Sequence, residues 1–169
     1  MNVTVHVWKL QSDNPGHASL QIGNTYVSYW PSDAAGKKDV KIGQTHDVSF
    51  PRSYATDARL ERKECDERRI PLGLATGQMI EAWAAFKSEP RRYNMVAHNC
   101  STVIAALLEL GSGVKPSFVP GVAIDDHAAG WPQRLLLRVR FMSSSIRMWT
   151  PDAVLRYADE IANRPVPPR

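Results

Sequence analysis

Gly16-His17-Ala18-Ser19-Leu20-Gln21-Ile22-Gly23-Asn24-Thr25-Tyr26-Val27-Ser28-Tyr29-Trp30-Pro31 is the stretch that decides the fold. Its first half reads as a β-strand through Ile22, Gly23-Asn24-Thr25 as a tight connection, and Tyr26 to Trp30 as the returning strand of an antiparallel hairpin. Before it, Val3, Val5 and Val7 alternate with Thr4, His6 and Trp8, the period of a half-buried strand, which makes His6 a structural residue. Asp13-Asn14-Pro15-Gly16 is a turn signal between the two strands. Further out, Pro31 to Lys38 reads as loop, Asp39 to Ile42 and His46 to Phe50 as short strands, and Pro51 to Pro71 as a long connection.

Helical patterning then takes over. Thr76 is the expected N-cap of a helix that places Met79, Ile80, Trp83 and Phe86 toward a core and ends before Pro90. A second helix starts near Asn99 or Cys100, buries Val103, Ile104, Leu107 and Leu108, and is expected to stop at Gly111. Pro116 to Trp131 reads as loop, and Leu135 to Phe141 fits a strand or a buried helix equally well. Thr150-Pro151-Asp152 is a helix start, with an N-cap residue, a proline at the first position and an acid near the positive end of the dipole. That helix should bury Val154, Leu155, Ala158 and Ile161 before a Pro-rich tail. The sum is an α+β fold in a single domain, residues 1–169, with enough apolar content (43%) for one core.

A net charge of +4 is modestly basic, and the richest basic segment, Arg59 to Arg69, also carries Glu61, Glu64, Asp66 and Glu67. It reads as a mixed-sign solvated surface, so nucleic acid is not an expected partner. No apolar run approaches the roughly 20 residues of a membrane span, and Met1-Asn2-Val3-Thr4 lacks the features of a signal peptide. The expectation is synthesis in the cytoplasm, with export only by a dedicated machine. Two cysteines imply no disulfide framework, and Cys65, amid charges, reads as an incidental surface thiol. His46, His98 and His127 lack the close spacing of a zinc site, so neither metal nor cofactor is expected.

The chemistry points to His17 and Cys100. A thiol at the first turn of a helix faces unsatisfied backbone N–H groups and the positive end of the dipole, and both favour the thiolate. Those N–H groups also serve as an oxyanion hole when a carbonyl is attacked. His17, entering its strand, would take the thiol proton and return one to the leaving group. A cysteine in an apolar helix is more often a small core residue. Here, however, two polar residues, His98 and Asn99, come just before it; His98 reads as lining the cleft and Asn99 as opening the helix. A catalytic imidazole needs an orienting group. Tyr29 is the first choice, with Ser28 and Gln21 as alternatives.

Gly16 to Pro31, together with Asn99-Cys100-Ser101, resembles the circularly permuted papain-like hydrolases of the NlpC/P60 superfamily, in which the histidine strand precedes the cysteine helix. The hairpin length and Gly23 are also similar to the lecithin:retinol acyltransferase-like branch, where a second histidine occupies the position of Tyr29. The Ser28-Tyr29-Trp30-Pro31 ending resembles bacterial permuted amidase-type effectors, including those delivered by type VI secretion. The resemblance implies an antiparallel sheet packed on helices, with the nucleophile at a helix N-terminus. It also implies a cysteine amidase or peptidase acting on peptidoglycan peptides, with delivery to a target periplasm and a cognate immunity protein. A lipid ester, thioester or protein side-chain amide is the alternative substrate, and an inactive binding module the non-enzymatic one.

Overall fold

The computed structural model describes residues 1–9, 14–32, 44–71, 73–123 and 145–164. Alternating valines make β1 (Val3–Trp8), and this strand becomes the centre of the sheet. β1 pairs antiparallel with β2 (His17–Ile22), in a register that sets Val5 opposite Leu20 and Trp8 opposite His17. Gly23, at φ 54°, makes the two-residue turn into β3 (Thr25–Val27), because a left-handed conformation there costs a side-chain-bearing residue more than glycine. The hairpin expectation holds, but the returning strand breaks after Val27. Trp30 and Pro31 form β4, which leaves the sheet to pair with β5 (Val48–Ser49), a shorter strand than the His46 to Phe50 expectation.

The segment read as a long connection carries two elements. Ser53 caps α1 (Tyr54–Glu61), and Arg62 closes it in the left-handed conformation. After a short turn, β6 (Asp66–Ile70) pairs antiparallel with β1, completing the order β3-β2-β1-β6. Of β6 only Ile70 is buried, so the strand has no apolar alternation to read; its charges suit a sheet edge. Ion pairs from Lys9 to Asp66 (2.9 Å) and from Arg68 to Asp159 engage those charges.

Among the described residues, three helices cover one face of the sheet. α2 (Thr76–Ser88) packs on α3 (Cys100–Ser112), and α3 packs on β2. α4 (Pro151–Ala162) crosses β1 and β6. Val3, Val5, Val7, Ala18, Leu20 and Ile22 meet Met79, Trp83, Ile104, Leu108, Val154 and Ala158 in one core. The α4 start is as expected, with the Thr150 hydroxyl accepting from Ala153 N at 3.1 Å. Two helix boundaries differ from expectation. Ala75, not Thr76, precedes the first turn of α2 and gives no side-chain cap. α3 runs through Gly111 to Ser112, and Gly113 (φ 67°) is its left-handed cap. Gly111 instead provides room: a Cβ there would overlap the Met79 side chain, which is fully buried against it.

A short ribbon, β7 (Val122–Ala123) with β8 (Ser145–Ile146), follows α3. The strand expected over Asp39 to Ile42, the Leu135 to Phe141 segment, Asp125, Asp126, His127 and the Pro-rich tail lie outside the described residues. Among the described residues no helix is long and apolar enough to cross a membrane.

Candidate active site

Cys100 is the first residue of α3. Asn99 caps the helix, its side-chain oxygen accepting from Thr102 N at 2.8 Å, while its amide donates to the carbonyls of Met95 (2.7 Å) and Trp149 (2.9 Å). One carboxamide thus secures the turn bearing the thiol and ties it to the segment leading into α4. Asn99→Ala is expected to lower stability by about 1–2 kcal/mol, the cost of losing such a cap, measured as a lower urea midpoint.

The thiol is nearly buried and lines a cavity of about 360 Å³, walled by Pro15, Gly16, Tyr93, Met95, Val122 and Trp149 among others. Tyr93 is fastened there by a two-way backbone bridge with His46, at 2.9 Å in each direction. Burial first, then the charge and hydrogen bonding of Cys100, hold the Tyr93 hydroxyl far above its ordinary pKa, so it stays a neutral donor beside the sulfur. Tyr93 was not expected from sequence, where nothing distinguishes it from a core aromatic.

His17 is fully buried, and its Nε2 lies 3.0 Å from Asp57 Oδ2 and 3.1 Å from Ser28 Oγ. Asp57 comes from α1 and is also fully buried. Its carboxylate accepts from Tyr26 (2.6 Å) and from the Trp30 indole N–H (2.9 Å). The His17 ring sits between Trp30 and Trp8, at centroid distances of 4.6 and 5.6 Å. Burial works to raise the Asp57 pKa, but its bonds and attraction to His17, then its bonds to Tyr26 and Ser28, outweigh this and hold it below the ordinary 3.8.

A folded-state pKa below the unfolded one adds stability above the unfolded value, and that stability is lost as pH falls through the folded one. The stability gap between wild type and Asp57→Asn should therefore be constant above about pH 5 and shrink below about pH 4. Urea titrations across that range measure it.

Of the expected orienting groups, the structure joins Ser28 to His17 and engages the others elsewhere. Tyr29 donates to the Arg91 carbonyl at 2.6 Å and packs its ring against Tyr93, Phe86 and Phe50. Its neighbour in sequence, Ser28, takes the place beside His17 where the chain leaves β3. Gln21, partly exposed, donates to the Gly23 carbonyl at 2.7 Å. His98 stands outside the cavity walls, with Nε2 3.3 Å from Arg91.

Asp57 is the residue the sequence reading missed. Its one signal is spacing: Asp57 and Glu61 are the buried residues of α1, four apart on one face. Glu61 accepts from Asn14 Nδ2 at 2.8 Å, and Asn14 Oδ1 accepts from Gly16 N at 2.9 Å. The same helix face thus braces both the turn before His17 and His17 itself.

Alternation along β2 sets His17 on the sheet face of Trp8, Ser19 and Tyr26, whereas Ala18 and Leu20 belong to the core under the helices. The His17 network and the Cys100 helix therefore approach the N-terminal end of β2 from different sides. Gly16, next to His17, is a wall of the cavity that holds Cys100. Compared with protein-family models, curated proteins and solved structures, the chain finds no match.

Proposed function

We propose that the chain is a cysteine hydrolase of permuted papain-like architecture, in which Cys100, His17 and Asp57 cleave an amide in the peptide part of bacterial peptidoglycan. The observation that carries this reading is the buried Asp57–His17 pair at the start of β2, one residue from Gly16 in the wall of the Cys100 cavity. The substrate class, together with specialised secretion to a target periplasm and a cognate immunity protein, rests on the sequence resemblance.

In this mechanism Nε2 of His17 is committed to Asp57, so Nδ1 is the atom left to exchange a proton with Cys100, an exchange that requires the ring to be reached from the cavity side past Gly16. The thiol proton passes to His17, and the thiolate attacks the carbonyl carbon. Backbone N–H groups at the α3 start, with the Tyr93 hydroxyl, stabilise the oxyanion. His17 then protonates the departing amine as the C–N bond breaks, leaving a thioester. Water attacks that thioester, its proton returns through His17 to the sulfur, and the acid leaves. Asp57 holds the imidazole and stabilises its charged form. The Asp57 carboxylate beside His17 supports the enzymatic reading over an inactive binding module, which needs no orienting group.

One observation favours a second reading, an acyl-chain ester or thioester substrate. Met95, Val122, Met148 and Trp149 give the cavity an apolar wall beside the sulfur. Incubating the protein with purified sacculi, and separately with an acyl-chain electrophile, distinguishes the two. Peptide fragments detected by mass spectrometry support the amidase; labelling of Cys100 with sacculi intact supports the acyl substrate. Folded protein that acts on neither sinks both readings.

A further inference from the structure

We propose that His6 Nδ1, Cys65 Sγ and Glu67 Oε1 form a binding site for a divalent transition-metal ion of the zinc class, separate from the Cys100 cavity. The three ligand atoms lie within 4.8 Å of one another. Sγ of Cys65 is 3.8 Å from Nδ1 of His6, and that same nitrogen is 3.2 Å from Oε1 of Glu67. A tetrahedral ion with bonds of about 2.3 Å to sulfur and about 2.0 Å to nitrogen and oxygen separates its ligands by roughly 3.3–3.6 Å. The His6–Glu67 and His6–Cys65 separations bracket that range, and all three atoms stay within 4.8 Å of one another.

The sulfur and the carboxylate converge on one ring nitrogen, and all three are ligand types of zinc-class ions. A cation between the three would engage all at once. The donors also come from three pieces of chain: His6 from central β1, Glu67 from edge β6, and Cys65 from the turn between α1 and β6. The Cys65 thiol donates to the Tyr54 hydroxyl on α1 at 3.5 Å, and the Tyr54 ring packs on His6 at a centroid distance of 4.8 Å. His6 is buried, Cys65 half-buried, and the Glu67 side chain 46% exposed, which gives the ion a path from solvent.

The His6 ring offers Nδ1 toward both partners, and a neutral imidazole nitrogen is a common zinc-class ligand. Cys65 would coordinate as the thiolate, so metal binding would release its proton. Bound metal would fasten the α1–β6 turn to β1. Because α1 carries Asp57, the ion would stiffen the element that orients His17, without touching the reacting atoms.

The test is a cobalt(II) titration of the chelator-treated full chain, followed by absorption spectroscopy. The expected result is a thiolate-to-cobalt charge-transfer band, with the strong visible bands of a tetrahedral site, saturating at one equivalent and displaced by zinc. Cys65→Ser should abolish the charge-transfer band. Glu67→Gln should weaken binding at least tenfold, roughly what loss of even an outer partner costs a metal site. Cys100→Ser should leave the spectrum unchanged. No band in the wild type, a band that survives Cys65→Ser, or one lost with Cys100→Ser overturns the proposal.

Discussion

Cys100→Ala is expected to remain folded and to lose hydrolysis down to background, a fall of about 10⁶-fold, the scale on which removing the nucleophile of a cooperating triad acts. The size follows from the chemistry. Without sulfur no thioester forms, and the remaining donors at the start of α3 can only assist direct attack by water. Stability should change little, by about 1 kcal/mol, since the substitution removes a single buried atom and leaves the Asn99 cap in place. Turnover assays on matched, folded samples check both parts. Activity retained in Cys100→Ala would exclude a covalent route through this residue.

Asp57→Ala has the largest expected effect on stability, about 3–5 kcal/mol, the usual result of removing one partner from a buried charged pair. The fully buried carboxylate accepts from Tyr26 and Trp30 as well as contacting His17, and its loss strands these groups away from water. Asp57→Asn keeps the shape but puts an N–H₂ group where only donors point. It should cost less stability and lower turnover by about 10²–10⁴-fold, since the imidazole loses its orientation and the charge that supports its protonated form. Unfolding curves for both variants, with kcat for Asp57→Asn, separate the structural from the catalytic contribution. A purely structural Asp57 would lower stability with kcat unchanged in the folded fraction.

The parts of the fold that could be read from sequence were those where burial and periodicity coincide. β1, the β2–β3 turn, α3 and α4 bury apolar residues at the spacing of their own geometry, and Thr150 and Asn99 supply side-chain caps. α1 and β6 escaped because they invert that logic. The inward face of α1 carries Asp57 and Glu61, whose burial is offset by hydrogen bonds to His17, Tyr26, Trp30 and Asn14. β6 is a charged edge strand held by its backbone ladder to β1. Asp57, the third member of the candidate site, lies in that same stretch, where apolar periodicity gives no signal. Tyr29 is an aromatic core residue whose hydroxyl is satisfied by Arg91. Cys65, read as incidental, contacts His6 and Tyr54, a cross-strand arrangement visible only once β6 is paired with β1.

The central claim is that His17 and Cys100, approaching the end of β2 from different sides, act as one unit. The most direct test is the pH dependence of Cys100 alkylation by a small electrophile, in a Cys65→Ser background so that one thiol reports. The account predicts a reactive thiolate well below the free-cysteine pKa of about 8.5, and a return toward that value in His17→Ala. An ordinary thiol pKa at Cys100, unmoved by His17→Ala, would contradict it.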